Sequence, residues 1–209
     1  MIMANNLLTK FDYERFFGEG ILYDFYKEQM ARDLIANADI QIQEYIALNQ
    51  SRMRRLDKTY TPSKELQELV RNLNHKTYWL VLTEHWCGDA SQTLPVLNKI
   101  AELSQGKIEL KLVYRDQNLD LMDAHLTKNG RAIPKLIQLN EHFTITGIWG
   151  PRPNEVQDLV NKLKANPETA ATYASDLHLW HARNKQKAME KEVSKLIVKA
   201  NLFCPHCLS

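Results

Sequence analysis

The chain has 209 residues, 44% of them apolar, which is enough to bury a substantial core as one large domain or as one domain with a helical elaboration. Its formal net charge is +2, and its basic and acidic residues are interleaved. This excludes the strongly basic surface with which proteins bind nucleic acid. No apolar run approaches the roughly 20 residues that cross a bilayer, so we expect no membrane association.

Three cysteines set an expectation about the compartment. The first 17 residues mix Asn, Lys, Asp and Glu into their apolar positions and lack the apolar core of a signal peptide. Cysteines without such a signal are typical of a reducing compartment, where thiols are reactive or inert rather than structural bridges. We therefore expect a cytoplasmic protein.

From about residue 21 to 73 the pattern is helical, with apolar residues at helical spacing. A second helix start is predicted at Thr61–Pro62, because threonine is a good N-cap and proline suits the first helical position. Residues 1–74 are accordingly interpreted as an N-terminal helical extension.

Strand and helix signals alternate in the middle of the chain. Strands are predicted over 78–83, 108–114, 135–139 and 143–148, and helices over about 88–105 and 119–127 and around Val156–Leu163. The order β-α-β-α-β-β-α with helices on either side predicts an α/β core with helical additions. We assign this core to residues 75–166.

The last part, residues 167–209, is predicted as a helical pattern over 168–203 followed by Cys204-Pro205-His206-Cys207. Three roles remain open for this tail: a mobile dithiol, half of a metal site with His178 and His181, or a terminus without function. An unbroken helix would separate His178 from Cys204 by about 39 Å at 1.5 Å per residue, which argues against the metal site.

Cys87 is the most informative residue, because it lies between a predicted buried strand and a predicted helix. The free N–H groups and the dipole at a helix start stabilise an anion and lower the pKa of a thiol there. Asp89 would oppose part of this lowering, and a protonated His85 would offset Asp89. The pattern predicts a reactive thiolate, with an inert buried cysteine as the alternative.

Two motifs resemble the signature sites of the thioredoxin superfamily: Trp86-Cys87 after a strand, and Arg131-Ala132-Ile133-Pro134 before the next one. The segments 114–120 and 149–153 resemble a bacterial subgroup of thioredoxin-like proteins whose role is poorly defined. The resemblance implies a thioredoxin-like α/β fold, with a central mixed sheet, flanking helices and additional N- and C-terminal helices. It also implies a cis peptide at Ile133–Pro134 beside Cys87; an ordinary trans proline opening an edge strand is the alternative.

The resemblance assigns Cys87 as a catalytic nucleophile and Trp86, Ile133 and Pro134 as the substrate-binding surface. The chain departs from the Cys-x-x-Cys pattern, because Ala90 stands where the second thiol would release a mixed disulfide. Cys204 and Cys207 are candidate replacements for that thiol. This predicts a single-cysteine thiol-disulfide oxidoreductase, with a non-catalytic thioredoxin-fold binding module as the alternative.

The expected partners follow from these two functions. They are a protein or a low-molecular-weight thiol or disulfide, with a homodimer as the candidate assembly. We expect no metal and no cofactor.

Overall fold

A computed structural model of the chain describes residues 8–202, except for the side chains of Ala174 and His178. The N-terminal part is helical, as predicted, and also contains a first helix that the sequence pattern missed. The helices are α1 (Lys10–Glu19), α2 (Tyr23–Ala36), α3 (Ile40–Thr59) and α4 (Lys64–Arg71).

The predicted helix start at Thr61–Pro62 is wrong. Helix α4 begins two residues later, where the Ser63 side chain accepts a hydrogen bond from the main-chain N–H of Leu66. Serine and threonine are both favoured at the N-cap, serine somewhat more strongly, but the proline at position 62 favoured a start at Thr61.

The middle of the chain has the predicted element order. Its elements are β1 (Thr77–Thr83), α5 (Gly88–Leu103), β2 (Ile108–Tyr114), a 3-10 turn (Arg115–Gln117), α6 (Leu119–Asp123), β3 (Lys135–Asn140), β4 (Ile145–Trp149) and α7 (Asn154–Ala165). The four strands form one mixed sheet in the order β2-β1-β3-β4. Strand β1 is parallel to β2 and antiparallel to β3, and β3 is antiparallel to β4.

The sheet places β1 at its centre, and every residue of β1 except Tyr78 is buried. An apolar run covered on both faces is what such a central strand requires. On the outer side of β2, Ile21 exchanges two main-chain hydrogen bonds of 2.8 Å with Leu112. The segment between α1 and α2 thus pairs with an otherwise open sheet edge.

The C-terminal part is helical but not continuous. It consists of α8 (Pro167–Ala170), α9 (Tyr173–Asn184) and α10 (Lys187–Leu202). Lys185 and Gln186 both have positive φ angles and separate α9 from α10, so the helical pattern predicted over 168–203 is divided into separate helices. Cys204 and Cys207 lie outside the described residues, as does the side chain of His178.

Helix α10 packs on β4 at Gly147, where an added Cβ would lie 2.5 Å from the Cδ2 atom of Leu196. The core is shared between all three parts of the chain. It includes Tyr13, Phe16, Tyr26 and Met30 before the sheet, and Met189, Val193, Leu196 and Ile197 after it. Within residues 8–202, none of the helices combines the length and hydropathy that a bilayer-spanning segment requires.

Candidate functional site

Cys87 is the N-cap residue of α5 and follows β1 after a three-residue connection. Its side chain is not in a disulfide and is buried, with 7% of the residue exposed. The thiol donates a hydrogen bond of 3.4 Å to the main-chain carbonyl of Ile133. The sulfur therefore lies at the helix start, as predicted, but it acts as a hydrogen-bond donor there.

The predicted lowering of the thiol pKa is wrong in this structure. Burial, followed by the negative charge of Asp89, raises the pKa of Cys87 to about 12. The main-chain N–H groups of Ala90 and Asp89 and the charge of Arg152 act in the opposite direction but are smaller. Desolvation exceeds the helix-start effect because it removes water from the charged form altogether.

His85 does not supply the positive charge that was expected to offset Asp89. Burial lowers the pKa of His85, and its ring lies between two partners: Nδ1 is 2.8 Å from Asp33 Oδ2, and Nε2 is 2.9 Å from the Tyr114 hydroxyl. A neutral ring donates to the carboxylate and accepts from the tyrosine. This network joins α2, the loop before Cys87 and the end of β2, so it positions the loop.

The Ile133–Pro134 peptide bond is cis, and it lies directly beside Cys87. A second cis bond joins Gly150 to Pro151. Gly150 has a φ of +110° and sits against Pro134, because an added Cβ would lie 2.2 Å from the Pro134 carbonyl oxygen. Only glycine fits this close approach, which holds the connection after β4 next to the proline turn.

A groove of about 680 Å³ opens above these residues. Its floor contains Cys87, Gly88 and Ile133, and its walls come from separate elements of the chain. The wall residues are Tyr45, Leu48, Asn49 and Arg52 of α3, Arg115, Arg131 and Ala132 of the loops around α6, Pro151 and Arg152 after β4, and Tyr173, Ser175, Leu177 and His181 of α9. The α9 wall means that the C-terminal part contributes to the site.

Asp89 and Arg152 form an ion pair beside Cys87, and both side chains are largely buried. The sequence analysis did not predict this pair, although it singled out the segment 149–153 that contains Arg152. The two residues are 63 positions apart, so no local pattern could have joined them. The pair fixes a negative charge close to the sulfur.

Trp86 is partly buried against the core and lines the groove. The Arg115 guanidinium lies 4.9 Å from the centre of its ring, pairs with Asp116 and reaches the main-chain carbonyl of Arg131. Arg115 is therefore held by an ion pair, a main-chain hydrogen bond and the Trp86 ring. Its stacking on Trp86 was not predicted.

The predicted site residues fall into two groups. Trp86, Cys87 and Ile133 line one groove, and Pro134 is the buried residue that completes the turn. Cys204 and Cys207 lie outside the described residues. The roles of all six residues remain predictions. In the described part of the chain, no group of three or more His, Cys, Asp or Glu side chains is arranged to hold a metal ion.

The comparisons with known proteins identify the family. Residues 36–166, more than half of the chain, match a family model described as thioredoxin. The chain belongs to the thioredoxin family. The match begins within the N-terminal helices and runs to the end of α7, so the thioredoxin model includes helix α3 of the groove wall.

Two solved structures share the thioredoxin fold over nearly the whole chain. A protein of unknown function from Pseudomonas aeruginosa is 23% identical, with a TM-score of 0.60, and the alignment covers 90% of this chain and 98% of that one. An HIV epitope-scaffold is 22% identical, with a TM-score of 0.58, and covers 88% and 96%. No curated protein matches the chain. These similarities extend the shared fold to the flanking helices and carry no function.

Proposed function

We propose that this thioredoxin-family protein is a binding module, whose groove beside Cys87 holds a ligand without disulfide exchange. The observation that carries the proposal is the state of the Cys87 thiol. It is buried, donates to the Ile133 carbonyl and faces the charge of Asp89, all of which favour the protonated form. A thiol, unlike a thiolate, is a poor nucleophile.

The groove itself supports a binding role. Its volume of about 680 Å³ falls in the range of sites that enclose small molecules or short peptide segments. Its lining includes Tyr45 and Leu48, which are about half exposed, and Trp86, which is partly buried. Exposed apolar side chains around a concave surface are typical of binding sites. We also propose that the protein is cytoplasmic and forms a homodimer.

The second candidate is a single-cysteine thiol-disulfide oxidoreductase. The observation that favours it is the helix start, since the N–H groups of Asp89 and Ala90 both lower the pKa of Cys87. In this reaction the Cys87 thiolate attacks a substrate disulfide, forms a mixed disulfide and releases one thiolate. Cys204 or Cys207 would then attack the mixed disulfide, release the second thiolate and be left bonded to Cys87.

A disulfide-reduction assay separates the two functions. The wild type and Cys87→Ala are compared in the reduction of insulin by dithiothreitol, with the double variant Cys204→Ser, Cys207→Ser as the control for the tail. We expect the same rate for all three proteins, equal to that of dithiothreitol alone. A faster rate that disappears in Cys87→Ala would contradict the binding module and support the oxidoreductase.

A further inference from the structure

Four arginines line the groove, each from a different element of the fold. Arg52 lies on α3, Arg115 follows β2, Arg131 precedes the proline turn and Arg152 follows β4. Asp89 is the one carboxylate among the lining residues, and Arg152 neutralises it. Arginines thus outnumber carboxylates on the groove lining itself, with Asp116 and Asp123 as partners that do not line it, although the whole chain is nearly neutral.

Arg52 lies directly over the start of α5. An added Cβ on Gly88 would be 3.4 Å from Arg52 Nη1, and the same nitrogen donates to the Asn49 side chain. Asn49 in turn donates to the main-chain carbonyl of His85, which anchors this corner of the groove. The start of a helix favours negative charge, so the guanidinium and the helix act on a ligand in the same direction.

Arg115 and Arg131 each have an internal carboxylate partner. Arg131 forms two hydrogen bonds of 2.7 and 2.8 Å with Asp123, and both side chains are about half exposed. Arg115, whose side chain is 20% exposed, pairs with its neighbour Asp116. A guanidinium has five N–H donors, so the donors of Arg131 that Asp123 does not use can bind a carboxylate that enters the groove.

Apolar side chains line the same groove as the arginines. Tyr45 and Leu48 follow the α3 side of the groove, and the Trp86 ring supports Arg115. A compact inorganic anion would leave these side chains in water. A ligand with acidic and apolar groups spaced along one chain would use both kinds of contact.

From this arrangement we infer that the ligand of the groove is a short acidic peptide segment, with carboxylates on Arg52 and Arg131 and apolar side chains against Tyr45 and Trp86. This inference rests on the proposed binding function. Because it names the ligand class, it can fail while that function stands.

The test is selection from a random heptapeptide library, followed by affinity measurement of the selected peptides by fluorescence anisotropy. We expect enrichment of Asp and Glu together with apolar residues, and weaker binding as salt is raised from about 50 to about 500 mM. Arg52→Gln and Arg131→Gln should each raise the Kd about fivefold, as expected for loss of one charge-assisted contact.

Arg54→Gln is the matched control. Arg54 is exposed, lies two positions from Arg52 on the same helix and is absent from the groove lining, so its replacement should leave the Kd unchanged. Thermal melting verifies that each variant is folded, and Arg131, at the surface, provides a second site if Arg52→Gln does not fold.

Three results would overturn the inference. Selected peptides without net negative charge would overturn the acidic class and leave the binding module standing. Citrate that binds as tightly as the peptides, with the same loss in Arg52→Gln, would replace the peptide by a small carboxylate. No selected peptide at all would overturn the inference, whereas the binding module is tested separately by the disulfide-reduction assay.

Discussion

Cys87 is subject to two opposing physical effects. A helix start stabilises a negative charge by about 0.3–1 kcal/mol, and by about 2 kcal/mol in favourable partly buried sites. Burial acts on the same group with shifts of several pKa units, each worth about 1.4 kcal/mol. With Asp89 adding repulsion, burial is the larger effect and the thiol stays protonated. A site that looks activated from its position in the fold is therefore held in the neutral state.

Asp89→Asn should lower the pKa of Cys87, because Asp89 is the largest charge that opposes the thiolate. We expect a decrease of about one unit. The rate of iodoacetamide alkylation against pH measures it, in a background of Cys204→Ser and Cys207→Ser. The same variant should lose about 2–3 kcal/mol of unfolding free energy, since Arg152 would keep a buried charge without its partner.

Asp158→Asn, on the exposed side of α7, is the matched control and should change neither quantity. An alkylation profile of Asp89→Asn that superimposes on that of the parent would show that the carboxylate does not govern the thiol.

At the level of the elements, local signals in the sequence identified most of the fold. The strands were predicted to within a residue or two at most ends, because the buried runs of the sheet are bounded by turn residues. The features that were missed depend on contacts between residues far apart in sequence, or on a choice between two suitable residues. The start of α4 was placed at Thr61 rather than Ser63, and the break at Lys185–Gln186 has no glycine or proline to mark it.

The site was predicted less completely than the fold. Motif resemblance located Cys87, Trp86 and the turn at Ile133–Pro134, which the structure brings into one groove. Arg52 and Arg152 were missed, since they reach the groove from elements far apart in sequence. The direction of the thiol pKa shift was also wrong, because burial is a property of the packed molecule and not of the motif.

Gln138 shows how elements far apart in sequence are joined. It is fully buried on β3, and its side chain forms hydrogen bonds to three other elements. Its Oε1 accepts from Trp79 on β1 at 3.0 Å, and its Nε2 donates to Thr146 on β4 at 3.0 Å and to the Leu196 carbonyl on α10 at 2.8 Å. The network ties the C-terminal helix to the sheet.

Gln138→Leu should lower the free energy of unfolding by about 3 kcal/mol, because the Trp79 N–H would stay buried without a partner and the hydrogen bonds to Thr146 and the Leu196 carbonyl would be lost. Urea unfolding followed by circular dichroism measures this. Gln157→Leu, which removes only a surface contact on α7, is the control and should stay within about 0.5 kcal/mol of the parent. Equal stability of the two variants would mean that the buried network is not a significant part of the attachment.

On the scale of the whole molecule, two buried histidines couple stability to pH. Burial, followed by the charge of Lys135, lowers the pKa of His125 to about 4, and its Nε2 is 2.9 Å from the Tyr13 hydroxyl. Burial also lowers the pKa of His85. The unfolded chain takes up these protons at about pH 6.5, whereas the folded chain resists them. Stability is therefore complete above about pH 6.5 and is lost as the pH falls towards 4.

For His125 we expect a loss of about 1.5 kcal/mol between pH 7 and pH 5, after allowing for its partial exposure to solvent. Urea unfolding at the two pH values measures the loss. His125→Gln should flatten this dependence, whereas His142→Gln, at an exposed residue, should preserve it. A parent protein that is equally stable at both pH values would contradict a neutral, buried His125.

The three parts of the chain act together at the groove. Helix α3 provides one wall, the thioredoxin core the floor and α9 another wall. The four groove arginines come from α3 and from three separate connections of the core, which is why neither composition nor a single motif reveals them together. The proposed binding function depends on the protonated thiol of Cys87 at the floor of the groove.

The most direct measurement is the ionisation of Cys87 itself, followed by thiolate absorbance at 240 nm in the variant Cys204→Ser, Cys207→Ser. Cys87 is then the one remaining cysteine of the chain. We predict that the absorbance, after subtraction of the curve of the same variant with Cys87→Ala to remove the tyrosinate signal, does not rise until well above the ordinary thiol pKa of about 8.5, in line with its value of about 12. A midpoint below about 8.5 would show a stabilised thiolate and would contradict the binding module.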